Sequence, residues 1–538
     1  MAPGWCAAYG ALSPCVRDEV PRDALMVQAD GWTAAAWGRD AGIATPGAAG
    51  GLASAWVGDA EAGSRCELMP DGRAALQSDP FGLHAACWAA SDGGIAAGSH
   101  TARVAAIAGL PACLEPEAVA SYLCSSCVPA PLTGHGGVRR VPAGSCLTLD
   151  GGCVACERPW QWEEAPPVGD QARATEELRD LLRAAVRRRL LPDARPAVFL
   201  SGGLDSSTVA TLLAQEGAQP LLLTLDFGPP HHTELSFAWM VADRLGLALH
   251  VVPCRAVDVR RAVESAARAV EAPFGDPATV PLWVLCEAAA RLGATDVFTG
   301  DGGDQIFGAS ACRLLAAADA RVGGDRGRDE GVLAELAGLQ GRLDEMLTAA
   351  ARERLAGWDA AAWLRPLLTG SGYESQLHRL RAASLAAQCA QGVAPRVRML
   401  AEAHGLTARC PFLDRALARW SFDLPGAWIV GGACEKLLLR RAVDPWLPHE
   451  VVWREHRGMG APVTEWCRGV LRSDVRRRLN PRRLRADGWI RPEFVRAVER
   501  GEDAQGAHGS RSTGEDLWLL WFLQAWRDAR RSPVAMPL

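Results

Sequence analysis

The second part of the chain alternates short apolar segments with longer amphipathic ones, and this alternation restricts the possible folds more than any other feature. The short segments, which predict buried strands, are residues 197–200, 221–225, 249–252 and 295–299. Segments with helical periodicity lie between them or follow them, at residues 207–215, 234–245, 257–270 and 280–292. Strands that alternate with helices form a parallel sheet with both faces covered. We therefore expect an α/β domain here.

The residues before this alternation have a different pattern. Residues 1–165 are rich in Gly, Ala and Trp, and turn signals such as Asp71-Gly72 separate short apolar runs. This pattern predicts many short strands, with one helix near residues 116–123. The Pro-Pro-Val-Gly-Asp segment that begins at Pro166 predicts a linker. The expected domains are therefore residues 1–165 and 170–538.

The second domain is expected to begin and end with helices. Its first helix is predicted to start at Thr175, because Glu176 and Glu177 would occupy the first turn. Further helical patterns occur at residues 313–321, 331–355, 377–390 and 515–530.

Composition excludes several classes of protein. Of 538 residues, 49% are hydrophobic and 22% are charged, as in a globular protein, and the net charge of -5 argues against a nucleic-acid partner. No signal peptide is apparent, and the longest apolar run, residues 517–523, is far shorter than the about 20 residues that span a membrane. We expect a cytoplasmic protein with no membrane contact.

Seventeen cysteines raise the question of metal binding. Cys124 and Cys127 form one CxxC pair and Cys153 and Cys156 another, a pattern that can hold zinc. The gap between the two pairs is longer than usual, and cysteine is frequent throughout the chain. Incidental buried thiols are therefore favoured over a structural zinc.

A glycine-rich loop follows the first predicted strand of the α/β domain. Residues 201–207 read Ser-Gly-Gly-Leu-Asp-Ser-Ser, and a helix is predicted to follow. Glycines allow the backbone to approach a ligand, and a helix N-terminus offers unpaired N–H groups to an anion. Asp205 would repel phosphate alone, so its presence implies a Mg²⁺ ion between them. The sequence predicts a phosphate site here; the alternative is an ordinary turn with a capping aspartate.

Two further features point to the same chemistry. The acidic loop, residues 300–304, reads Gly-Asp-Gly-Gly-Asp and follows the fourth predicted strand. It lies at the carboxyl edge of the sheet, where Asp304 could complete the metal site with Asp205. The alternative is a turn whose acids face solvent. Lys436 is the only lysine among 57 basic residues, and a compact ammonium suits a phosphate contact; the alternative is an ordinary surface lysine.

These motifs resemble those of a known superfamily. The loop at 201–207 looks like the pyrophosphate loop of ATP pyrophosphatases, and the chain from about residue 75 onward resembles the asparagine synthetases. The motifs that carry this resemblance lie at residues 79–82, 138–144, 299–308, 404–414 and 435–440. The resemblance implies an α/β and α+β architecture: an N-terminal glutamine-amidotransferase-like, β-rich sandwich domain, and a C-terminal parallel-sheet ATP-pyrophosphatase domain of the adenine nucleotide alpha hydrolase-like type, with helical additions.

The resemblance also implies a set of site residues. The candidates for ATP binding are Leu200, Ser201, Gly202, Gly203, Asp205, Ser206, Ser207, Phe227 and Gly300. Asp205 and Asp304 are the candidate Mg²⁺ ligands, and Lys436, His456, Asp301 and Arg457 the candidate catalytic residues. His456 replaces a second lysine of the family and could act as a base or a charged group, or could simply pack; Arg457 offers fixed charge. Asp301 and then Glu271 follow His456 as candidate bases.

Two departures from the family pattern narrow the expected function. The amidotransferases carry a nucleophilic cysteine directly after the initiator methionine, whereas this chain reads Met1-Ala2-Pro3, so we expect no glutaminase activity. The β-lactam synthetases resemble this group but use a tyrosine in a base dyad. Only Tyr9, Tyr122 and Tyr373 are present, and none lies in a matching motif.

The remaining resemblance is to the lasso-peptide cyclases, which are macrolactam synthetases with an inactive amidotransferase domain. It implies ATP and Mg²⁺ as cofactors, a precursor peptide as substrate, and a leader-peptide recognition protein and a leader peptidase as partners. The alternatives are amide formation on a small molecule, such as a β-lactam, and tRNA modification, which the net charge disfavours. A non-catalytic binding protein is a further alternative, and the acids and lysine named above argue against it.

Overall fold

A computed structural model describes most of the chain. The described residues are 3–10, 13–29, 32–37, 41–44, 53–57, 63–69, 73–91, 94–111, 113–150, 153–157, 169–229, 234–319, 329, 331–333, 335–336, 343–369, 373, 375–432, 434–455, 460–500 and 513–531. Among the helices of these residues, none combines the length and apolar character that a membrane span requires.

The N-terminal part consists of two antiparallel sheets of six strands each. The first has the order β10-β8-β9-β1-β3-β2 and the second β12-β11-β7-β6-β5-β4. The strands are β1 Gly4–Gly10, β2 Leu25–Ala29, β3 Trp32–Trp37, β4 Ala41–Ala44, β5 Ala53–Val57, β6 Ser64–Leu68, β7 Ala74–Gln77, β8 Cys87–Ser91, β9 Gly94–Gly98, β10 Arg139–Arg140, β11 Cys146–Asp150 and β12 Cys153–Glu157. A 3-10 helix spans Ser13–Glu19. The prediction of a β-rich N-terminal region is confirmed.

An apolar cluster formed by both sheets explains why these strands pair as they do. In β6 and β7, buried residues alternate with less buried ones, so that each strand turns one face inward. Trp5, Leu76 and Leu149 belong to the same buried cluster, although they come from strands of different sheets. The cluster contains several alanines beside these larger side chains.

Two helices complete the N-terminal part: α1, Thr101–Ile107, and α2, Pro116–Ser125. Helix α2 matches the predicted helix and begins with Pro116, which is compatible with the first helical turn because that position needs no N–H. Helix α1 was not predicted, because its seven residues are too few to establish a periodicity.

The second part is built on a five-stranded parallel sheet. Its strands are β13 Pro196–Phe199, β14 Leu221–Asp226, β15 Leu249–Pro253, β16 Asp296–Phe298 and β17 Thr407–Arg409, in the order β15-β14-β13-β16-β17. Every neighbouring pair is parallel. The parallel sheet and its first four strands are confirmed. Strand β17 was not predicted, because its three residues, Thr-Ala-Arg, do not form an apolar run.

Helices precede and connect the first four strands: α3 Gln171–Arg189, α4 Leu204–Gln215, α5 Leu235–Leu245, α6 Ala256–Ala269 and α7 Thr279–Arg291. Helix α3 begins four residues before the predicted Thr175. The reason is Asp170, whose carboxylate accepts hydrogen bonds from the backbone N–H groups of Ala172 and Arg173 and so caps the helix earlier.

The rest of the chain is mostly helical. The elements are α8 Gly303–Ile306, α9 Ala309–Asp319, α10 Leu343–Met346, α11 Ala349–Arg354, α12 Arg365–Thr369, α13 Gln376–Ser384, a π-helix Leu385–Val393, α14 Ala394–Glu402, α15 Arg415–Ser421, α16 Gly426–Ile429, the hairpin β18 Val430–Gly431 and β19 Cys434–Glu435, α17 Leu437–Val443, α18 His449–Val452, α19 Val463–Arg468, α20 Arg472–Arg478, α21 Pro481–Asp487, α22 Pro492–Arg500 and α23 Thr513–Arg531.

The single helix predicted for residues 331–355 is wrong. Helices α10 and α11 are separate, because Leu347 forms an isolated bridge with Ile490 and Thr348 starts a new helix by capping the N–H of Ala351. The helix predicted at 377–390 is longer than expected and changes type. Pro395 lacks an N–H, so the regular hydrogen-bond ladder cannot continue through it, and the π-helix precedes it.

One segment of the N-terminal part, around α2, packs into the hydrophobic core of the parallel-sheet part. Buried residues of α2 belong to the same cluster as those of the parallel sheet and α23. The Tyr122 hydroxyl donates to the carbonyl of Leu519 at 2.8 Å, and the backbone N–H of Ala130 donates to the side chain of Gln391 in the π-helix at 3.0 Å. The domain boundary itself stays a prediction, because most of the linker lies outside the described residues.

Candidate nucleotide and metal site

The glycine-rich loop connects β13 to α4 at the carboxyl edge of the sheet. Gly202 has a φ of 71°, in the left-handed region that favours glycine, and a Cβ there would lie 2.5 Å from the backbone nitrogen of Ala238. Gly203 is the N-cap of α4, so the helix begins immediately after the glycines. The sequence thus places the first N–H groups of α4 beside the loop, as an anion site requires.

Serine hydroxyls close this loop. The Ser206 hydroxyl accepts from the backbone N–H of Ser201 at 3.2 Å, and the Ser201 hydroxyl accepts from that of Gly203 at 3.2 Å. Ser201 and Ser206 line a cavity, whereas Ser207 is fully buried. The hydroxyls therefore shape the loop, and two of the three are placed to reach a ligand.

The acidic loop packs directly against the glycine-rich loop. It follows β16, and Gly302, with a φ of 96°, leads into α8. A Cβ on Gly300 would lie 2.8 Å from the Cβ of Asp205, and one on Gly303 would lie 2.5 Å from Asp205 Oδ2. Strands β13 and β16 are neighbours where the strand order changes direction, which is the usual ligand position in open α/β sheets.

A lysine ammonium joins the two loops. Lys436 Nζ lies 2.5 Å from Asp205 Oδ2 and 2.5 Å from Asp304 Oδ1, and its side chain is only 2% exposed. Burial alone would lower the pKa of Lys436, but the two carboxylates outweigh it and raise the pKa above its ordinary value. The lysine predicted to contact phosphate is therefore charged and adjoins both predicted metal ligands.

The same geometry tests whether a magnesium ion fits. One cation, the ammonium, already contacts both carboxylates. The two oxygens are thus at most about 5 Å apart, so that a single cation can contact both. Two carboxylates next to a phosphate site are also the usual protein contribution to a Mg²⁺–triphosphate complex. Asp205 and Asp304 therefore fit the metal that the sequence implies.

Asp301 lies on the same cavity with a modified acidity. Burial raises the pKa of its carboxyl group above the ordinary range, and the nearby Asp304 and Asp276 add to this effect, whereas Thr299 and Arg396 oppose it. A carboxyl group with a raised pKa is a stronger base when ionised, so Asp301 is suited to accept a proton.

Two arginines that the sequence did not single out complete the positive side of the cavity. Arg440, in α17, donates to the carbonyls of Glu435, Val452 and Arg454, and so ties Glu435, the residue before Lys436, to the end of α18 and the segment after it. Arg454 pairs with Glu234 at 3.1 Å and lies over the ring of Phe237, 4.4 Å from its centroid. Its Nη2 would be 3.7 Å from a Cβ on Gly203.

The cavity has a volume of about 540 Å³ and gathers most of the predicted residues. Those that line it are Leu200, Ser201, Gly203, Asp205, Ser206, Phe227, Gly300, Asp301, Asp304 and Lys436. Gly202 and Ser207 do not line it. His456 and Arg457 lie outside the described residues, although Glu455 and Gly460 on either side line the cavity.

Several lining residues had no distinguishing signal in the sequence. Leu282, Leu285 and Val393 form part of an apolar side of the cavity, and Arg440 and Arg454 part of its charged side. The helical pattern of 280–292 identified the leucines as apolar but not which of them face a ligand. Glu271, a candidate base, is not among the lining residues; its backbone carbonyl instead packs against Gly134 of the N-terminal part.

The predicted alternatives that involve cysteine and tyrosine can be located as well. The Cys124 and Cys127 side chains are buried and that of Cys156 is exposed, while the Cys153 side chain is outside the described part. In the described part of the chain, no group of three or more His, Cys, Asp or Glu side chains is arranged to hold a metal. All three tyrosines are described, and none lines the cavity.

Comparison with known proteins identifies relatives of the chain. The family model described as asparagine synthase matches residues 177–528. A Mycobacterium tuberculosis protein named as a glutamine-hydrolysing asparagine synthetase is 26% identical over 434 residues, which are 72% of this chain and 65% of the relative. The Bacillus subtilis asparagine synthetase (glutamine-hydrolysing) 1 is 20% identical over 451 residues, 79% and 70% of the two chains.

A shorter similarity is local. The 7-cyano-7-deazaguanine synthase of Parasynechococcus marenigrum is 49% identical over 61 residues, 11% of this chain and 26% of the relative. The chain thus spans about 65% of the length of the mycobacterial relative and 26% of that of the deazaguanine synthase.

Proposed function

Because this chain belongs to the asparagine synthase family, we propose that it is an ATP-dependent, AMP-forming carbon–nitrogen ligase that closes a macrolactam in a precursor peptide. The carboxylate of an Asp or Glu side chain is adenylated, and the peptide's N-terminal amine then displaces AMP. The observation that carries this proposal is that the phosphate loop, two cation-bridged aspartates and a raised-pKa carboxyl group line one cavity.

The first half-reaction joins the substrate carboxylate to the α-phosphorus of ATP and releases pyrophosphate. In this proposal the N-terminus of α4 and the Lys436 ammonium stabilise the negative charge that develops on the leaving group, and such preorganised charge is a main source of rate enhancement. Asp205 and Asp304 would hold Mg²⁺, which when bound neutralises phosphate charge. Arg454 adds a second fixed positive charge on the other side of the loop.

The second half-reaction needs a neutral amine. An α-amine has a pKa of about 7.7–8.0, so it loses its proton readily near neutral pH and needs only modest help from a base. Asp301 accepts that proton in this proposal, since burial raises the pKa of its carboxyl group. His456 and Arg457, which follow Arg454 in the sequence, are proposed to assist as a base and as a fixed charge.

The cavity wall protects the activated carboxyl group. Leu282, Leu285 and Val393 provide apolar surface on the same cavity as Asp301, and an acyl-adenylate hydrolyses if water reaches it. Val393 ends the π-helix, whose Ala390 packs against Gly82 and whose Gln391 binds Ala130 of the N-terminal part. The N-terminal part thus supports one wall of the reaction site.

Glutamine hydrolysis is not part of the proposal. Cys6 is fully buried in β1, and burial raises the pKa of its thiol to about 12, so it is a protonated core residue rather than a nucleophile. The amine donor is therefore proposed to be the substrate itself. A β-lactam-forming reaction is the second candidate. The β-lactam synthetases use a tyrosine in a base dyad, and Tyr9, Tyr122 and Tyr373 do not line the cavity, which disfavours this candidate.

The test measures AMP and pyrophosphate with ATP, Mg²⁺ and two kinds of substrate. Acid-bearing peptides with a free N-terminus, presented with the proposed leader-peptide recognition protein and leader peptidase, should yield AMP and a product lighter by one water. Small β-amino acids are the competing substrates. Asp205→Asn should abolish AMP formation, and Arg441→Gln, on the exposed side of α17, should not. A chain that forms AMP with neither substrate contradicts the proposal.

A further inference from the structure

The single lysine of this chain stands where the proposed metal would bind. We propose that Lys436 keeps the metal position closed in the nucleotide-free protein, and that Mg²⁺ and ATP can displace its ammonium only together. This inference rests on the proposed use of ATP. It concerns the order in which ligands bind, which the proposed function leaves open.

The distances make the ammonium and a metal mutually exclusive. Nζ lies 2.5 Å from an oxygen of Asp205 and 2.5 Å from one of Asp304. A cation bound to both oxygens must lie in the same narrow space. Like charges repel strongly at such separations, because the energy falls only as the inverse of the distance. A metal can bind between the carboxylates only after the ammonium has left.

The Asp205 carboxylate cannot avoid this competition by moving. The Cβ and carboxylate of Asp205 are packed against Gly300 and Gly303, where even an added methyl group would overlap them. The backbone of Lys436 is fixed as well: its φ of 57° is in the left-handed region, and it directly precedes α17, which Arg440 ties to Val452 and Arg454. The flexible lysine side chain is therefore the part that moves.

Charge explains why neither ligand suffices alone. The two aspartates and the ammonium together carry one negative charge, which disfavours ATP without a metal. Mg²⁺ without ATP would leave a buried ammonium with no anion in contact, and an unpaired buried charge is costly. The phosphates of ATP supply a new anionic partner for Lys436, so metal and nucleotide bind cooperatively.

Manganese binding to the nucleotide-free full-length chain tests the competition directly. Free Mn²⁺ is measured by electron paramagnetic resonance with wild type, Lys436→Met and Lys436→Arg. We expect the Met variant to bind Mn²⁺ at least about tenfold more tightly than wild type, and the Arg variant, which keeps a positive charge, to bind as weakly as wild type. The gain should disappear in the Asp205→Asn/Lys436→Met double variant. Equal affinity in wild type and Lys436→Met overturns the proposal.

A second measurement needs no variant, because the chain has one lysine. In protein labelled with ¹³C-lysine, the ε-methylene gives a single side-chain signal that reports the surroundings of Nζ. We expect no change with Mg²⁺ alone, little with a non-hydrolysable ATP analogue alone, and a clear shift with both. A full shift with Mg²⁺ alone overturns the proposal. This measurement uses the wild-type chain, so it applies even where Lys436→Met does not fold. Neither test contains an acyl substrate, so failure to form AMP remains a separate result that concerns the proposed function.

Discussion

Gly303 packs against the carboxylate of Asp205 so closely that a Cβ on Gly303 would lie 2.5 Å from Oδ2. Gly303→Ala should therefore displace the carboxylate from Lys436 and from the metal position without placing a new charge in the site. Misplacement of a reacting group by about 1 Å can cost about 100-fold in rate, and we expect a loss of that size in AMP formation.

The measurement is initial-rate AMP formation together with a thermal melt. Gly169→Ala is the matched control, since a Cβ at Gly169 meets no atom within 4 Å. A Gly303→Ala variant that keeps its melting temperature and full activity would show that the position of Asp205 does not limit the reaction.

Asp301→Asn should separate the two half-reactions. If Asp301 accepts the proton of the amine, amide formation should fall by about 10²–10⁴-fold, whereas pyrophosphate release should fall much less. In the wild type, amide formation should also decrease as pH falls through the raised pKa of Asp301, and the variant should lack this decrease. Chromatography of AMP and cyclised product over a pH series checks both statements; an equal loss in both half-reactions contradicts them.

The same substitution should make the protein more stable near neutral pH. Burial raises the pKa of Asp301, so the ionised form is penalised in the folded state above that pKa, and the penalty is absent below the unfolded value of about 3.9. Asparagine removes the penalty. Urea unfolding should show a gain of about 0.5–2 kcal/mol at neutral pH that shrinks as the pH approaches 4. A merely structural role for Asp301 would give a loss of stability instead.

The pKa of Asp414 is shifted in the opposite direction from that of Asp301. Its carboxylate caps α15 through Ala416 and Leu417 and pairs with Arg189 at 2.8 Å. Burial would raise the pKa of Asp414, but Arg189 and Arg188 together outweigh it and hold the pKa below the ordinary value. The ion pair therefore contributes stability above the unfolded pKa of about 3.9, and this contribution is lost as pH falls through the folded pKa.

Asp414→Asn should thus lower the free energy of unfolding by about 3 kcal/mol at pH 7, because it leaves the buried Arg189 without its anion. The difference from wild type should narrow in strong acid. Urea titrations at several pH values measure both effects. Asp423→Asn is the control, since its partner Arg419 is about one-third exposed and such pairs contribute under about 1 kcal/mol. A loss that does not change with pH would show that the charge of Asp414 is not its cause.

The parts of the molecule that sequence predicts are those fixed by local chemistry. Glycine at 202 and 203 and a strand–helix pattern are sufficient to place the glycine-rich loop, and the carboxyl-edge rule places Asp304 near Asp205. Arg454 lies in a segment with several arginines, so nothing local distinguishes it. Its position depends on Arg440, which binds the carbonyl of Arg454 from another helix. The π-helix likewise reflects Pro395 together with packing against Gly82 from a distant part of the chain.

Arg454 provides the sharpest test of a residue that only the structure identifies. Its guanidinium lines the cavity near Gly203 and is held by Glu234 and by the ring of Phe237, so it can contact phosphate without much rearrangement. A contact to the phosphates that persists from the bound substrate to the transition state lowers KM rather than raising kcat. We expect Arg454→Met to raise the KM for ATP about tenfold and to change kcat much less, because Lys436 still meets the leaving group.

Arg441→Met removes a positive charge of the same kind from an exposed position on α17 and should leave the KM unchanged. Initial rates over a range of Mg²⁺–ATP concentrations distinguish the two variants. The same rates are measured at higher ionic strength. Because salt screens a buried contact less than a surface charge, the difference in KM between the two variants should persist in about 0.15 M salt. An Arg454→Met enzyme with the KM of the wild type would mean that the pair with Glu234 positions α5 and does not bind nucleotide.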